Sequence, residues 1–290
     1  MSFAWHRPAS VAEAVAMAHA HGEAARFIAG GTDLVIQMNR ERIAPQHVID
    51  LTPLRELSGI AAGRDGYTLG ALTTHKEIER HAGFQGALAA LAEAARVVGG
   101  HQIRNVATVG GNIVNASPAA DVVVSLLALD ALLTLIGPDA ARTVRLEDFV
   151  LGSGRTTRKA DELLESIRFA TLPQRSATAF LKVGRRKAME ISVVCIAVRL
   201  TLGGDDTCRD VRIALGAVGP TVLRARTAER SLAGQPANDA AFQEAGRRAV
   251  ADCSPISDVR ASAHYRRIVV EALVPRALHV ARERAEGLQS

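Results

Sequence analysis

Ala29-Gly30-Gly31-Thr32-Asp33-Leu34 and, further along, Thr108-Val109-Gly110-Gly111-Asn112 are the two stretches on which the reading of this 290-residue chain turns. The first lies between residues 26–29, which read as a short strand, and residues 34–40, which read as a helix. Paired glycines let the backbone bend, and they remove the Cβ that would hold a ligand away. Successive N–H groups in such a turn form an anion-binding nest, and a helix N-terminus behind it adds about half a positive charge. A pyrophosphate suits that field, with the Thr32 hydroxyl as one more donor. A carboxylate beside it would repel, so Asp33 is expected to cap the helix or orient the loop. Taken alone, the pair reads more readily as a structural turn, because glycine punctuates most strand-to-helix connections.

The second stretch continues Ile113-Val114-Asn115-Ala116-Ser117-Pro118-Ala119-Ala120-Asp121. Residues 101–117 read as a glycine-bearing loop. Asn112, Asn115 and Ser117 bring donors and acceptors suited to hydroxyls, phosphates and ring edges. Asp121, acceptor-only when ionised, suits an N–H or O–H of a ligand. The competing reading is a loop in which Ser117 and Asp121 only cap the next helix. Neither stretch matches Gly-x-Gly-x-x-Gly or Gly-x-x-x-x-Gly-Lys-Ser/Thr, which disfavours a Rossmann site and a P-loop. Two diglycine turns far apart in sequence imply one ligand gripped from two sides, in a groove between a first and a second unit.

Outward from these turns the pattern divides in three. Ser10 and Glu13 form a capping-box signal ahead of Val11, Ala14, Val15 and Ala18, with Gly22 as the stop. Residues 47–51 read as a second strand, favouring a parallel pair in an α/β unit over residues 1–55. Residues 56–175 read as α+β. There are strands at 67–72, 132–136 and 162–169, and helices at 74–80, 85–98 and 119–129, the last with Ser117 as N-cap and Pro118 as first helical residue. In residues 176–290 a strand at 179–183 precedes a hairpin of 191–202 and 211–218 about Gly203-Gly204-Asp205-Asp206. Helices follow at 221–232, 239–251 and 261–286, and Pro275 is expected to kink or divide the last. The fold class is therefore mixed α/β, of the α+β kind.

Composition narrows function. Hydrophobic residues at 48% and charged residues at 22% describe a chain with a substantial core. No apolar run reaches the ~18 residues a membrane helix needs; the longest, 122–136, is broken by Asp130. The start of the chain lacks a basic-then-apolar signal, so a cytoplasmic location is expected. The net charge of +5 is scattered among acids and only 3% of residues are aromatic, which leaves little to stack bases and argues against nucleic acid. Cys195, Cys208 and Cys253 form no Cys-x-x-Cys pair and cannot make a four-cysteine iron–sulfur site; buried reduced thiols are expected.

Together the two stretches resemble the FAD-binding motifs of the molybdenum hydroxylase flavoprotein family, of the carbon monoxide dehydrogenase and xanthine dehydrogenase type. Gly70-Ala71-Leu72-Thr73-Thr74-His75, Gln102-Ile103-Arg104-Asn105, Ala119-Ala120-Asp121, Val183-Gly184-Arg185-Arg186, Gly216 to Thr221 and Tyr265-Arg266-Arg267 extend the resemblance over nearly the whole chain. Where the family often has an aspartate after the paired arginines, this chain has Glu190. The resemblance implies a PCMH-type FAD-binding fold of two subdomains followed by a C-terminal flavoprotein domain. It also implies that Ala29, Gly30, Gly31, Thr32, Asp33 and Leu34 run along the FAD diphosphate. Thr108, Val109, Gly110, Gly111 and Asn112 would lie on its other side. Asn115, Ser117 and Asp121 match cofactor contacts, and Leu164 matches a backbone contact near the adenine. Lys182 matches a lysine near the flavin, with a surface lysine as the competing reading.

In that family three chains share the work. A large subunit carries the molybdenum–pterin centre, a small one carries two [2Fe–2S] clusters, and the medium one passes electrons through FAD to an external acceptor. A dimer of such heterotrimers is implied. No side-chain nucleophile, general acid or metal ligand is nominated. A stand-alone flavin reductase or oxidase, and a non-redox nucleotide-binding or maturation protein, are the other readings to be separated.

Overall fold

The computed structural model describes residues 2–186 and 189–287. Strand β1 (Ala4–His6) precedes helix α1 (Val11–His21), strand β2 (Ala25–Ile28), helix α2 (Leu34–Asn39) and strand β3 (His47–Asp50). The strands form one parallel sheet in the order β1-β3-β2. Ser10 Oγ accepts the Glu13 N–H at 3.1 Å. The Glu13 carboxylate takes the Ala9 N–H at 2.6 Å, one residue earlier than in an ordinary capping box. Ala14, Val15 and Ala18 recur at helical spacing and pack with Ala25 and Ile49 of the sheet.

The next elements are β4 (Ile60–Ala62), β5 (Gly66–Gly70), α3 (His75–Arg80), α4 (Ala89–Arg96), α5 (His101–Arg104), α6 (Val109–Val114), α7 (Asp121–Ala128), β6 (Leu132–Ile136), β7 (Ala141–Arg145), α8 (Leu146–Phe149), β8 (Val150–Gly152), β9 (Arg155–Thr156) and β10 (Leu163–Ala170). Their main sheet is antiparallel, in the order β4-β5-β10-β6-β7. Two expectations are corrected here. Residues 101–117 are not an open loop but carry α5 and α6. Thr108 caps α6, and the N–H groups of Val109 and Gly110 bond to Thr73 O and Ala71 O at 2.9 Å each, which offsets the low helix propensity of the glycines. Helix α7 starts at Asp121, later than expected. Ser117 Oγ accepts the Ala119 N–H in a tight turn at 3.2 Å instead of capping the helix.

The C-terminal part pairs β11 (Ser176–Val183), β12 (Val194–Leu202), β13 (Cys208–Gly216) and β14 (Leu223–Arg224) as an antiparallel sheet in sequence order, backed by α9 (Arg226–Leu232), α10 (Asp239–Ala249) and α11 (Ala263–Ala285). Pro275 does not divide α11. Having no N–H, it leaves the Glu271 carbonyl free, and Gly246 of α10 fits against that bare surface: a Cβ there would meet Glu271 O at 2.4 Å. Helices α4 and α7 bury their apolar faces in a core shared with Phe180, Cys195, Ala197 and Ala214, so the central and C-terminal parts have a continuous interior. At its edge Asp130 accepts from Arg199, Arg212 and Arg224 at 2.9, 2.9 and 2.7 Å. Burial raises the Asp130 carboxyl, but the three guanidiniums together hold it below its ordinary value.

Candidate functional site

The two diglycine segments face each other across a cleft of about 680 Å³, large enough for a sizeable small molecule. One wall is the turn between β2 and α2; the other is α6 with Ala107 and Thr108. The start of β10, with Glu162, Leu163 and Leu164, closes one side, and Met189, Glu190 and Ile191 lie beside it.

The four glycines serve different ends. A Cβ on Gly30 would lie 1.9 Å from Val106 O, so this glycine lets the two walls touch backbone to backbone. A Cβ on Gly110 would lie 2.6 Å from Ala71 O and seats α6 on the central sheet. Gly31 has φ +68, the left-handed region, and turns the chain into the cleft. At Gly111, a cleft residue with an ordinary helical backbone, a Cβ would meet a single atom, Thr108 Oγ1 at 3.1 Å.

The N–H groups are equally unequal. At the second turn the four N–H groups from Val109 to Asn112 are taken: Val109 and Gly110 by carbonyls of the central part, Gly111 by Thr108 Oγ1 at 3.1 Å, and Asn112 by Thr108 O at 3.0 Å. A ligand gripped from two sides is therefore not gripped here through these amides, because Thr108 caps its own helix and the central part takes the first two. At the first turn the N–H groups of Gly30, Gly31, Thr32, Asp33 and Leu34 find no acceptor among the described residues. Five consecutive free donors beside a positive-φ glycine make a nest for an anion. Helix α2 has only six residues, so the donors themselves, rather than a macrodipole, supply the field. Asp33 sits at its N-cap but makes no side-chain capping bond, contrary to expectation. Desolvation by the cleft walls raises its carboxyl above the ordinary value.

Asn112 Oδ1 is buried without a hydrogen-bond partner, as are His75 Nδ1 and Arg158 Nε, and all three residues line the cleft. Arg158 spends Nη1 on the carbonyls of Lys159, Ala160 and Glu162 and holds a cation in the wall. Burial, with a smaller push from Arg104, lowers His75 to about 4, so its ring is neutral at pH 7. The sequence reading gave no role to His75, Arg158, Arg26 or Glu162. The histidine lay inside a quoted motif, and Arg26 and Glu162 begin segments read only as strands, a pattern that gives no sign of what their side chains face.

Of the residues singled out from sequence, Ala29, Gly30, Gly31, Thr32, Asp33, Leu34, Thr108, Gly110, Gly111, Asn112, Asn115 and Leu164 line the cleft. Val109, Ser117, Asp121 and Lys182 do not. Val109 is fully buried in the core. Lys182 is neither a surface lysine nor part of the cleft lining: its side chain is about nine-tenths covered and bonds to Asp121 Oδ2 at 2.7 Å, Glu190 O at 2.8 Å and Val97 O at 3.3 Å. Asp121 also accepts from Ser192 Oγ at 2.6 Å, so both partners are spent on the protein. Burial raises the Asp121 carboxyl against the pull of Lys182 and Ser192. The pair braces Glu190, which is itself part of the cleft wall.

Two family models match the chain: "FAD binding domain in molybdopterin dehydrogenase" over residues 1–172, and "CO dehydrogenase flavoprotein C-terminal domain" over residues 179–281. The carbon monoxide dehydrogenase medium chain of Hydrogenophaga pseudoflava is 33% identical, over 96% of this chain and 96% of that protein. The xanthine dehydrogenase FAD-binding subunit of Escherichia coli O157:H7 is 32% identical, over 98% of this chain and 97% of that one. The solved carbon monoxide dehydrogenase from Hydrogenophaga pseudoflava, in a form lacking the Mo-pyranopterin moiety, contains a chain that superimposes with a TM-score of 0.93 at 34% identity, covering 98% of each.

Proposed function

The chain belongs to the FAD-binding flavoprotein family of the molybdenum hydroxylases, and from that premise we propose that it is the electron-transfer subunit of such an enzyme, taking electrons from [2Fe–2S] clusters of a partner and giving them to an external acceptor. Its partners in this reading are a large molybdenum-binding subunit and a small iron–sulfur subunit, assembled as a dimer of heterotrimers in the cytoplasm. The observation that carries the reading is the row of five unpaired N–H groups from Gly30 to Leu34, set across a cleft from the bare face of Gly111.

These residues fit the cofactor. The diphosphate would take the nest, held close by Gly31 and cleared on the far side by Gly111. Asn112 Oδ1, buried and unpartnered, would accept from a hydroxyl. Thr32, Thr108 and Asn115 add polar contacts, and Leu164 flanks the adenine. We take residues 1–55 and 56–175 as the two halves of the clasp and 176–290 as the flavoprotein C-terminal domain. FAD, when bound, supplies the reversible electron storage. The protein's own part is to bind, orient and exclude water. The neutral His75 ring and the apolar Leu51, Leu72 and Leu163 dry the cleft, and Lys182 with Asp121 fixes the Glu190 wall from behind.

The test is to isolate the chain, load it with FAD, and follow flavin bleaching under anaerobic conditions with and without the reduced iron–sulfur partner. Bleaching only with the partner supports the reading. Rapid bleaching by NAD(P)H alone, or failure to take up flavin, contradicts it.

A further inference from the structure

Three histidines outside the cleft converge although 41 residues separate the first from the last. In the parallel register Ala4 pairs with His47 and His6 with Ile49, so by the two-residue alternation of a strand His6 and His47 lie on the sheet face that carries Ile49. That is the face on which α1 packs. His21 is the last residue of α1 and arrives at the same place. His6 Nε2 lies 3.0 Å from His47 Nδ1, and the His21 and His47 rings stack with centroids 3.6 Å apart. One ring nitrogen from each residue can be chosen so that all lie within 4.8 Å of one another. All three rings are partly exposed, and none lines the cleft.

We propose that His6, His21 and His47 form a binding site for a divalent transition metal of the zinc type, with water as the remaining ligand. Neutral imidazole is a preferred ligand for such ions. Tetrahedral Zn–N bonds of about 2.0–2.1 Å put ligand nitrogens roughly 3.3 Å apart. The His6–His47 separation already has that value within a few tenths of an ångström, and His21, whose nitrogen lies within 4.8 Å of the other two, reaches it by rotating its ring out of the stack on His47. The C-terminal carbonyls of the 11-residue α1 also favour a cation at that end. A metal here would tie β1, α1 and β3 together. His47 is level with Ala25, three residues or about 10 Å before the end of β2, so the site lies at the opposite end of the sheet from the Gly30-Gly31 turn.

The test uses the FAD-loaded complex, made without a polyhistidine tag, stripped with a chelator and titrated calorimetrically with Zn2+ near neutral pH. The expected result is one ion per chain at micromolar affinity or tighter, weakened roughly 100-fold or more in His47→Gln and in His21→Gln, with flavin content unchanged. Co2+ added to the unsubstituted complex should give the d–d absorption of imidazole ligation, a readout independent of whether any variant folds. Absence of stoichiometric binding, a featureless Co2+ spectrum, or equal affinity in the folded variants overturns the proposal.

Discussion

Gly111→Val separates the fold of the cleft from its use. In the protein alone the added Cβ meets only Thr108 Oγ1, at 3.1 Å, and that hydroxyl needs to give by a few tenths of an ångström. Replacing glycine in a helix gains back several tenths of a kcal/mol of propensity, so the stability of the flavin-free chain should stay within about 1 kcal/mol of the original. With the diphosphate against this wall, the same side chain occupies ligand space. Overfilling a packed contact costs roughly 1–3 kcal/mol, which is about a 5- to 150-fold loss of FAD affinity. Flavin fluorescence titration gives the affinity and urea unfolding of the flavin-free chain gives the stability. Gly30→Ala is the contrasting control: its Cβ would lie 1.9 Å from Val106 O, so it should destabilise the chain itself. Native FAD affinity in Gly111→Val would refute the location of the diphosphate. An equal loss of stability in both variants would refute the division of labour between the glycines.

Other outcomes follow from the buried charges. His75 is neutral in the folded chain down to about 4, against an ordinary 6.5; above pH ~6.5 it is neutral in both states and has no effect. Between these values only the unfolded chain takes up the proton, so stability should fall by up to about 3 kcal/mol as pH drops from 6.5 to 4, and the slope should flatten in His75→Gln. An unchanged slope in urea unfolding would rule this out. Asp130→Ala removes an acceptor shared by three arginines, but Glu229 still pairs the buried Arg224 and Asp210 still pairs Arg199 and Arg212, so it should cost about 1–3 kcal/mol in chemical unfolding; no measurable loss would mean the cluster is solvated. Lys182→Met should cost about 3–5 kcal/mol by stranding Asp121, and adding Asp121→Asn should restore most of it. A double-mutant cycle with no coupling would contradict the pairing.

Much of this was written in local pattern. Ser10 and Glu13 mark the start of α1, and Gly203 to Asp206 mark the turn between β12 and β13, because caps and tight turns are decided by neighbours in sequence. Strands β1, β4 and β7 were not legible: β1 and β4 have three residues, too few for a period, and β7 is an arginine-bearing edge. Residues 101–117 misled for a different reason. Gly110 is a poor helix former, yet α6 forms because Ala71 and Thr73 accept its first N–H groups from another part of the chain. Those long-range bonds, together with the local cap by Thr108, explain why two similar glycine pairs differ, the donors of Gly30 and Gly31 free among the described residues and those of Gly110 and Gly111 taken. Nor could sequence place Lys182, whose three partners Asp121, Val97 and Glu190 come from separate segments.

A crystal structure of the chain with FAD bound tests the account most directly. It should have phosphate oxygens accepting from the N–H groups between Gly30 and Leu34, with the Gly111 Cα facing the same diphosphate. A cofactor seated elsewhere, or a diphosphate held by side chains while those five donors face water, would contradict it.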